Sequence, residues 1–354
     1  MKAINGSILY KVAIVFATLF FSLKADGATV GPLPVAVSDS LSERMASETV
    51  AFLGGMPAGL QESQAEGVRR ASAGCYDALR NVRNSRNIAP ELPEGIVVSE
   101  IGTSMKMFRS SAGVGCVRPA LLYFHGGGWC FGSINSCARY CAALAAEADI
   151  AVIALDYPLA PENPYPAALN ACAEVFDYLV SHADNLGIDP RRISVGGDSA
   201  GGNLALALAL AKGENGADSQ PIRSLVLFYP VVYAGNDGSD SWRTFGEGYG
   251  LDSSLMVAFN RAYTVTAALE DPLISPIFAT DESLRTLPPV LMVNAERDIL
   301  LDQCNRMAAR MKAAGCSLRR EILPSTVHLF ITVPGQPTAF RTAVTLSADF
   351  LRGE

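Results

Sequence analysis

Histidine is scarce in this 354-residue chain, which has only His125, His182 and His328. Any imidazole chemistry must use one of the three. Charge is thin too: Asp, Glu, Lys and Arg make up 18% of residues, and 35 acids against 28 bases leave a net charge of −7. Such a chain has no bulk electrostatic attraction for nucleic acid or anionic lipid. None of the eight cysteines forms a CxxC pair, and histidine is too rare to complete a zinc site, so no metal and no cofactor are expected. A GKS/T phosphate loop is missing as well. The N-terminal apolar run, Val12 to Leu23, has 12 residues and is too short to span a bilayer comfortably.

That run has another reading. Lys2 and Lys11 precede or flank it, and the small residues Ala25, Gly27 and Ala28 follow, which is the pattern of a secretory signal over residues 1–27. Cleavage there leaves 25 bases and 34 acids, a net charge of −9, on a protein exported to the periplasm or medium. Export permits disulfides, but eight cysteines do not choose their own pairing. Cys137 and Cys141, four apart, read as one buried face of a helix.

What remains is a globular composition. Apolar residues are 49%, with 31 Gly and 20 Pro, which excludes a disordered, collagenous or coiled-coil chain. Leu41 to Leu53 and Gln64 to Val82 carry apolar positions at helical spacing. From Leu121 onward, short apolar runs alternate with helical stretches. The runs are Leu121–Phe124, Ile150–Leu155, Ile193–Val195, Leu225–Tyr229, Val290–Val293 and Leu318–Leu323. The helical stretches are Ser136–Ala148, Ala167–Ala183, Ala200–Lys212 and Gln303–Ala314. This alternation predicts an α/β fold with a mostly parallel sheet covered on both faces. Antiparallel edge strands are expected near Val97–Phe108, and residues 231–277 interrupt the alternation as a helical insertion.

The reactive residues lie at the ends of those strands. Gly197-Asp198-Ser199-Ala200-Gly201 follows one strand and opens a helix. GxSxG in that setting is a nucleophile elbow: the turn is so tight that positions two either side of the serine nearly touch, and glycine at both allows it. His125-Gly126-Gly127-Gly128-Trp129 follows the strand Leu121–Phe124. Glycines in series sacrifice conformational entropy, which makes sense where bare amides must face an oxyanion. His125 reads as a stiffener of this loop, and His182, near a helix end, as structural or solvent-facing. Only His328 lies downstream of Ser199, where the chain order serine, acid, histidine requires the base. The acid should follow the strand Val290–Val293, where Glu296, Asp298 and Asp302 are candidates. Asp298 is preferred, because Glu296 is close to the strand end and Asp302 reads as a cap of the next helix.

HGGGW, the later Asp156-Tyr157-Pro158-Leu159-Ala160-Pro161-Glu162 and GDSAGGN at 197–203 together resemble the hormone-sensitive-lipase-like (bacterial family IV) carboxylesterases. The resemblance implies an α/β-hydrolase fold over residues 91–354, with a helical cap built from residues 28–90 and the 231–277 insertion. It also implies Ser199, Asp298 and His328 as triad, with the amides of Gly127, Gly128 and Ala200 as oxyanion hole. Two departures stand near the site: Ile299 where the family usually has Pro, and Leu329 where a smaller residue is usual. The expected partner is a small-molecule ester, with no nucleic acid, no stable membrane insertion after signal cleavage, and room for a homodimer. Alternatives on the same fold are an exported sugar deacetylase, amidase or peptidase, or a small-molecule receptor. The plant gibberellin receptors resemble the family but lack the histidine, which this chain keeps as His328.

Overall fold

The computed structural model describes residues 39–113, 115–213 and 222–353. The expected signal segment, residues 1–27, and the first part of the 28–90 region lie outside the described residues. Eight strands form one sheet: β1 Ile96–Ile101, β2 Met105–Ser110, β3 Arg118–Phe124, β4 Ala151–Leu155, β5 Ile188–Asp198, β6 Ile222–Phe228, β7 Val290–Arg297 and β8 Leu318–Val327. Their spatial order is β1-β2-β4-β3-β5-β6-β7-β8. The hairpin β1–β2 and its junction with β4 are antiparallel, and every later pairing is parallel. The alternation of short apolar runs therefore translated into a parallel core, because each inner strand is buried on both faces: all five residues of β4 are buried.

The helices of ten residues or more among the described residues are α1 Asp39–Gly54, α2 Leu60–Ser72, α3 Asp77–Arg86, α4 Ile134–Ala148, α5 Ala167–Ser181, α6 Ala200–Gly213, α7 Ser253–Thr264, α8 Leu301–Ala313 and α9 Pro337–Arg352. Leu122, Ile153 and Val195 face one apolar cluster with α5, α6 and α8, whereas Leu121, Val152 and Val226 face a second with α4 and α9. Helix α6 is buried almost all round, which suits its unbroken Ala/Leu sequence. Cys137 and Cys141 are fully buried on α4, and all eight cysteines are free thiols.

Three boundaries differ from the sequence reading. The single helix expected over Gln64–Val82 is broken: Gly74 takes φ +90°, the Cys75 amide donates to the Arg70 carbonyl at 2.8 Å, and α2 ends there. The runs Ile193–Val195 and Leu318–Leu323 belong to longer strands, β5 and β8, whose outer parts are too polar to show by hydropathy. Helix α9 was not anticipated, although Pro337 at its first turn and the buried Ala339, Ala343, Val344 and Ser347 carry the helical period.

Helix α2 packs on both α3 and α7, which lies in the 231–277 insertion. Gln61 of α2 donates from Nε2 to the Gly250 carbonyl at 2.8 Å. Helix α1 goes elsewhere, packing on β8 and α9.

Candidate active site

The strands β3, β5, β7 and β8 end on one edge of the sheet and carry there the loops that the motifs occupy. Ser199 sits between β5 and α6 with φ +55°, the left-handed region that L-residues enter only under constraint. A Cβ added at Gly197 would lie within 2.6 Å of the Phe124 carbonyl oxygen and fall on Gly201, and one added at Gly201 would fall on Phe124 itself. The two glycines are thus needed because the strand-to-helix turn closes on itself and on the end of β3. The Ser199 amide donates to the Phe228 carbonyl at 2.9 Å, which pins the turn to β6.

Three sequence-predicted residues meet. His328 Nε2 lies 3.0 Å from Ser199 Oγ, and His328 Nδ1 lies 2.6 Å from Asp298 Oδ2. All three side chains are buried. Asp298 is braced in turn, since its Oδ1 accepts the Leu300 amide at 2.9 Å. The imidazole also leans against the Tyr229 ring, with centroids 4.2 Å apart.

The other two candidate acids are engaged elsewhere. Glu296 is in β7, and its Oε2 accepts the Ser325 amide at 2.7 Å. Asp302 is in the first turn of α8 rather than at its N-cap, which is Leu300; it accepts the Ser241 amide at 2.8 Å and the Asn305 amide side chain at 3.1 Å. Neither reaches the histidine.

Gly127 (φ +117°) and Gly128 (φ +59°) form a tight turn in which the Gly127 carbonyl accepts the amides of Cys130 at 3.1 Å and Phe131 at 2.8 Å. Among the described residues no acceptor takes the amide N–H of Gly127, Gly128 or Ala200. Ala200 opens α6, so its free amide points out of a helix N-terminus, where partial positive charge gathers.

His125 does what was expected of it: Nδ1 is 2.8 Å from the Gly126 carbonyl and the ring stacks on Tyr157 at 4.3 Å. Burial lowers its pKa, only partly opposed by the Gly126 carbonyl and Asp156, so it is neutral. His182 is exposed, stacked on Tyr178 and close to Ser181 Oγ at 3.0 Å, far from this chemistry in role.

Several supports carried no legible signal. Gln336, just before α9, accepts the Val327 amide at 3.0 Å and donates from Nε2 to the His328 carbonyl at 3.2 Å, fixing the histidine loop. Thr49 of α1 donates to the same Gln336 at 3.3 Å. The two departures from the resembled family are buried or bent into place: Ile299 is buried with its carbonyl bonded by Ser241 Oγ at 3.0 Å, and Leu329 takes φ +77°.

Asp198 fills the variable position of GxSxG, which by itself assigns it no role. Its Oδ1 accepts the Tyr123 hydroxyl and the Gly126 amide, both at 3.0 Å, so it ties the elbow to the glycine loop. Burial pushes its pKa up to about 6, against the lowering by Tyr123 and by the charge of His328. An aspartate raised from 3.8 binds its proton more readily folded than unfolded. Its contribution to stability is therefore full below about pH 4 and lost as pH rises through about 6. Asp198→Asn keeps an acceptor for both donors without the charge, so its melting temperature relative to the native chain should be higher at pH 8 than at pH 4. Equal differences at both pH values would refute this reading of Asp198.

Residues 121–332 match the model of a family described as alpha/beta hydrolase fold. An ethyl acetate hydrolase of Pseudomonas putida is 37% identical over 213 residues, covering 60% of this chain and 66% of that protein. A carboxylic ester hydrolase of Mycobacterium tuberculosis is 34% identical over 225 residues, 62% of this chain and 59% of its own length. The matched part thus spans less than two thirds of these curated relatives. Solved structures align further. A thermostable esterase from Pseudomonas putida ECU1011 superposes with a TM-score of 0.71 at 27% identity, over 87% of this chain and 94% of the other. A fungal esterase from Rhizomucor miehei does so with a TM-score of 0.71 at 27% identity, over 91% and 98%. With the family model matching more than half of its residues, the chain belongs to the alpha/beta-hydrolase family, in its hormone-sensitive-lipase-like branch.

Proposed function

We propose that this chain is a serine carboxylesterase acting on short-to-medium acyl esters. The observation that carries the reading is the unbroken line Asp298–His328–Ser199, with contacts of 2.6 and 3.0 Å. Ser199 Oγ attacks the ester carbonyl carbon as His328 Nε2 takes its proton. Asp298 holds the Nδ1–H tautomer and stabilises the imidazolium that forms. Charge on the former carbonyl oxygen is met by the amides of Gly127, Gly128 and Ala200, which have no other acceptor among the described residues. Collapse expels the alcohol, which takes the proton from His328. Water, deprotonated by the same imidazole, then attacks the acyl carbon; the bond to Ser199 Oγ breaks, His328 returns the proton to Oγ, and the carboxylic acid leaves.

The cap, in this proposal, is residues 28–90 together with 231–277, and it bounds the acyl pocket. Bulky side chains there include Phe52, Trp242, Phe245, Tyr249 and Phe259. A bounded apolar pocket gains about 0.8 kcal/mol per buried methylene until the acyl chain meets the end wall, after which crowding costs more than burial returns. We expect p-nitrophenyl acetate to hexanoate to be the best substrates and dodecanoate to be at least about tenfold poorer in kcat/KM. A preference for palmitate, or activation at an oil–water interface, would overturn the bounded-pocket reading. Export belongs to the same proposal: expression in a bacterial host should yield a mature N-terminus near residue 28, read by mass spectrometry.

A further inference from the structure

The glycine loop closes on its own hydrogen bonds, from Cys130 and Phe131 to the Gly127 carbonyl, but a left-handed turn of this kind needs further support from outside it. Gly128 takes φ +59° and the next residue, Trp129, takes φ +58°. Two consecutive left-handed residues are uncommon, and the second has a bulky side chain, so the conformation persists only where surrounding contacts over-determine it. One comes from the Ala160 amide, which donates to the Trp129 carbonyl at 2.9 Å, and the ring contacts come from the insertion. A Cβ added at Gly128 would fall on the Phe259 ring, so that ring lies directly on the Gly128 backbone. Tyr263, one helical turn further along α7, stacks on Trp129 with centroids 4.3 Å apart and planes 2° from parallel. Phe259 also meets Phe131 edge-on at 5.0 Å.

Helix α7 is itself held. The Tyr165 amide donates to the Tyr263 carbonyl at 2.9 Å, and α2 packs along the helix. Among the described residues neither the Tyr263 hydroxyl nor Trp129 Nε1 has a hydrogen-bond partner, so the side chains of this attachment meet through their rings.

We infer that Phe259 and Tyr263 are positioning residues for the oxyanion hole, a two-ring clamp by which α7 holds Gly128 and Trp129 in their left-handed turn and so aims the Gly128 amide. The inference rests on the esterase reading above. One consequence follows for catalysis: if α7 lifts, the loop keeps its main-chain bonds but loses the two ring contacts on Gly128 and Trp129, so the aim of the hole is coupled to the closed cap. Ground-state ester binding, which needs apolar walls, is affected less than the transition state, which needs the aimed amide.

The test uses the full chain and variants Phe259→Leu, Phe259→Ala, Tyr263→Leu and Tyr263→Phe, with p-nitrophenyl acetate as substrate. Acetate is small enough that wall packing contributes little to its KM. Phe259→Ala and Tyr263→Leu should lower kcat by about tenfold to a hundredfold, a fraction of the loss when a hole donor is removed outright, with KM changed less than about threefold. A short alkyl trifluoromethyl ketone, which adds to Ser199 to form a tetrahedral oxyanion, should weaken in Ki by the same factor as kcat/KM falls. Tyr263→Phe, which keeps the ring and loses only an unbonded hydroxyl, should recover most of the rate lost in Tyr263→Leu. Phe259→Leu should fall between native and Phe259→Ala, and it remains informative if the alanine variant does not fold. A change in KM alone, an unchanged Ki, or equal loss in Tyr263→Phe and Tyr263→Leu would overturn the clamp. The esterase reading fails by a different result, activity without Ser199, so the two failures are distinguishable.

Discussion

Ser199→Ala is expected to cut kcat for p-nitrophenyl butyrate by about 10⁴- to 10⁶-fold while the melting temperature stays within a few degrees. Among the described residues the hydroxyl has one polar partner, His328 Nε2 at 3.0 Å, and the turn is held by main-chain bonds to Phe228 and Val231. Alanine tolerates the +55° φ no worse than serine does, since both carry a single Cβ. Removing Oγ thus deletes the bond-forming atom and leaves the elbow standing. Retention of more than a few per cent of native turnover would show that another nucleophile does the work.

Asp298→Asn should be the most damaging of three matched acid-to-amide changes, with a loss on the order of 10⁴-fold in kcat. The 2.6 Å contact to His328 Nδ1 requires an acceptor. The asparagine amide group can donate to Nδ1 instead, which selects the tautomer whose Nε2 carries the proton and cannot accept the one on Ser199. Glu296→Gln leaves an oxygen for the Ser325 amide, and Asp302→Asn leaves one for the Ser241 amide, so each should keep activity within about tenfold. Asp302→Asn acts through the α8 entrance, so its effect should appear in the melting temperature before it appears in kcat. If either of these two is the worst of the three, the acid is misplaced.

The contrast among those carboxylates shows where sequence reasoning stops. Spacing after β7 offered Glu296, Asp298 and Asp302 with Asp298 preferred, but a few residues of loop can turn any of them toward or away from β8. What separates them is a set of partners distant in the chain: Ser325, Ser241 and His328 itself. The same holds for Gln336, whose amide fixes the histidine loop from the start of an unanticipated helix, and for Asp198, whose two donors come from β3 and the loop after it. Asp and Gln supports of this kind leave no periodicity and no motif.

The sequence alone determined the parallel sheet, and it singled out the elbow serine, the glycine loop and the histidine as candidates. In each case the constraint is local or arithmetic. A strand buried on both faces must be a short apolar run, and a turn that closes Gly197 onto Gly201 admits no side chain at either position. With three histidines in the chain, only His328 follows the serine. Only the tertiary structure brought Asp298, and neither Glu296 nor Asp302, against His328, and seated Phe259 and Tyr263 on Gly128 and Trp129. Those outcomes depend on the angle and distance between elements up to a hundred or more residues apart. A hydrogen bond or a ring contact tolerates errors of only a few tenths of an ångström, far finer than any residue pattern can specify.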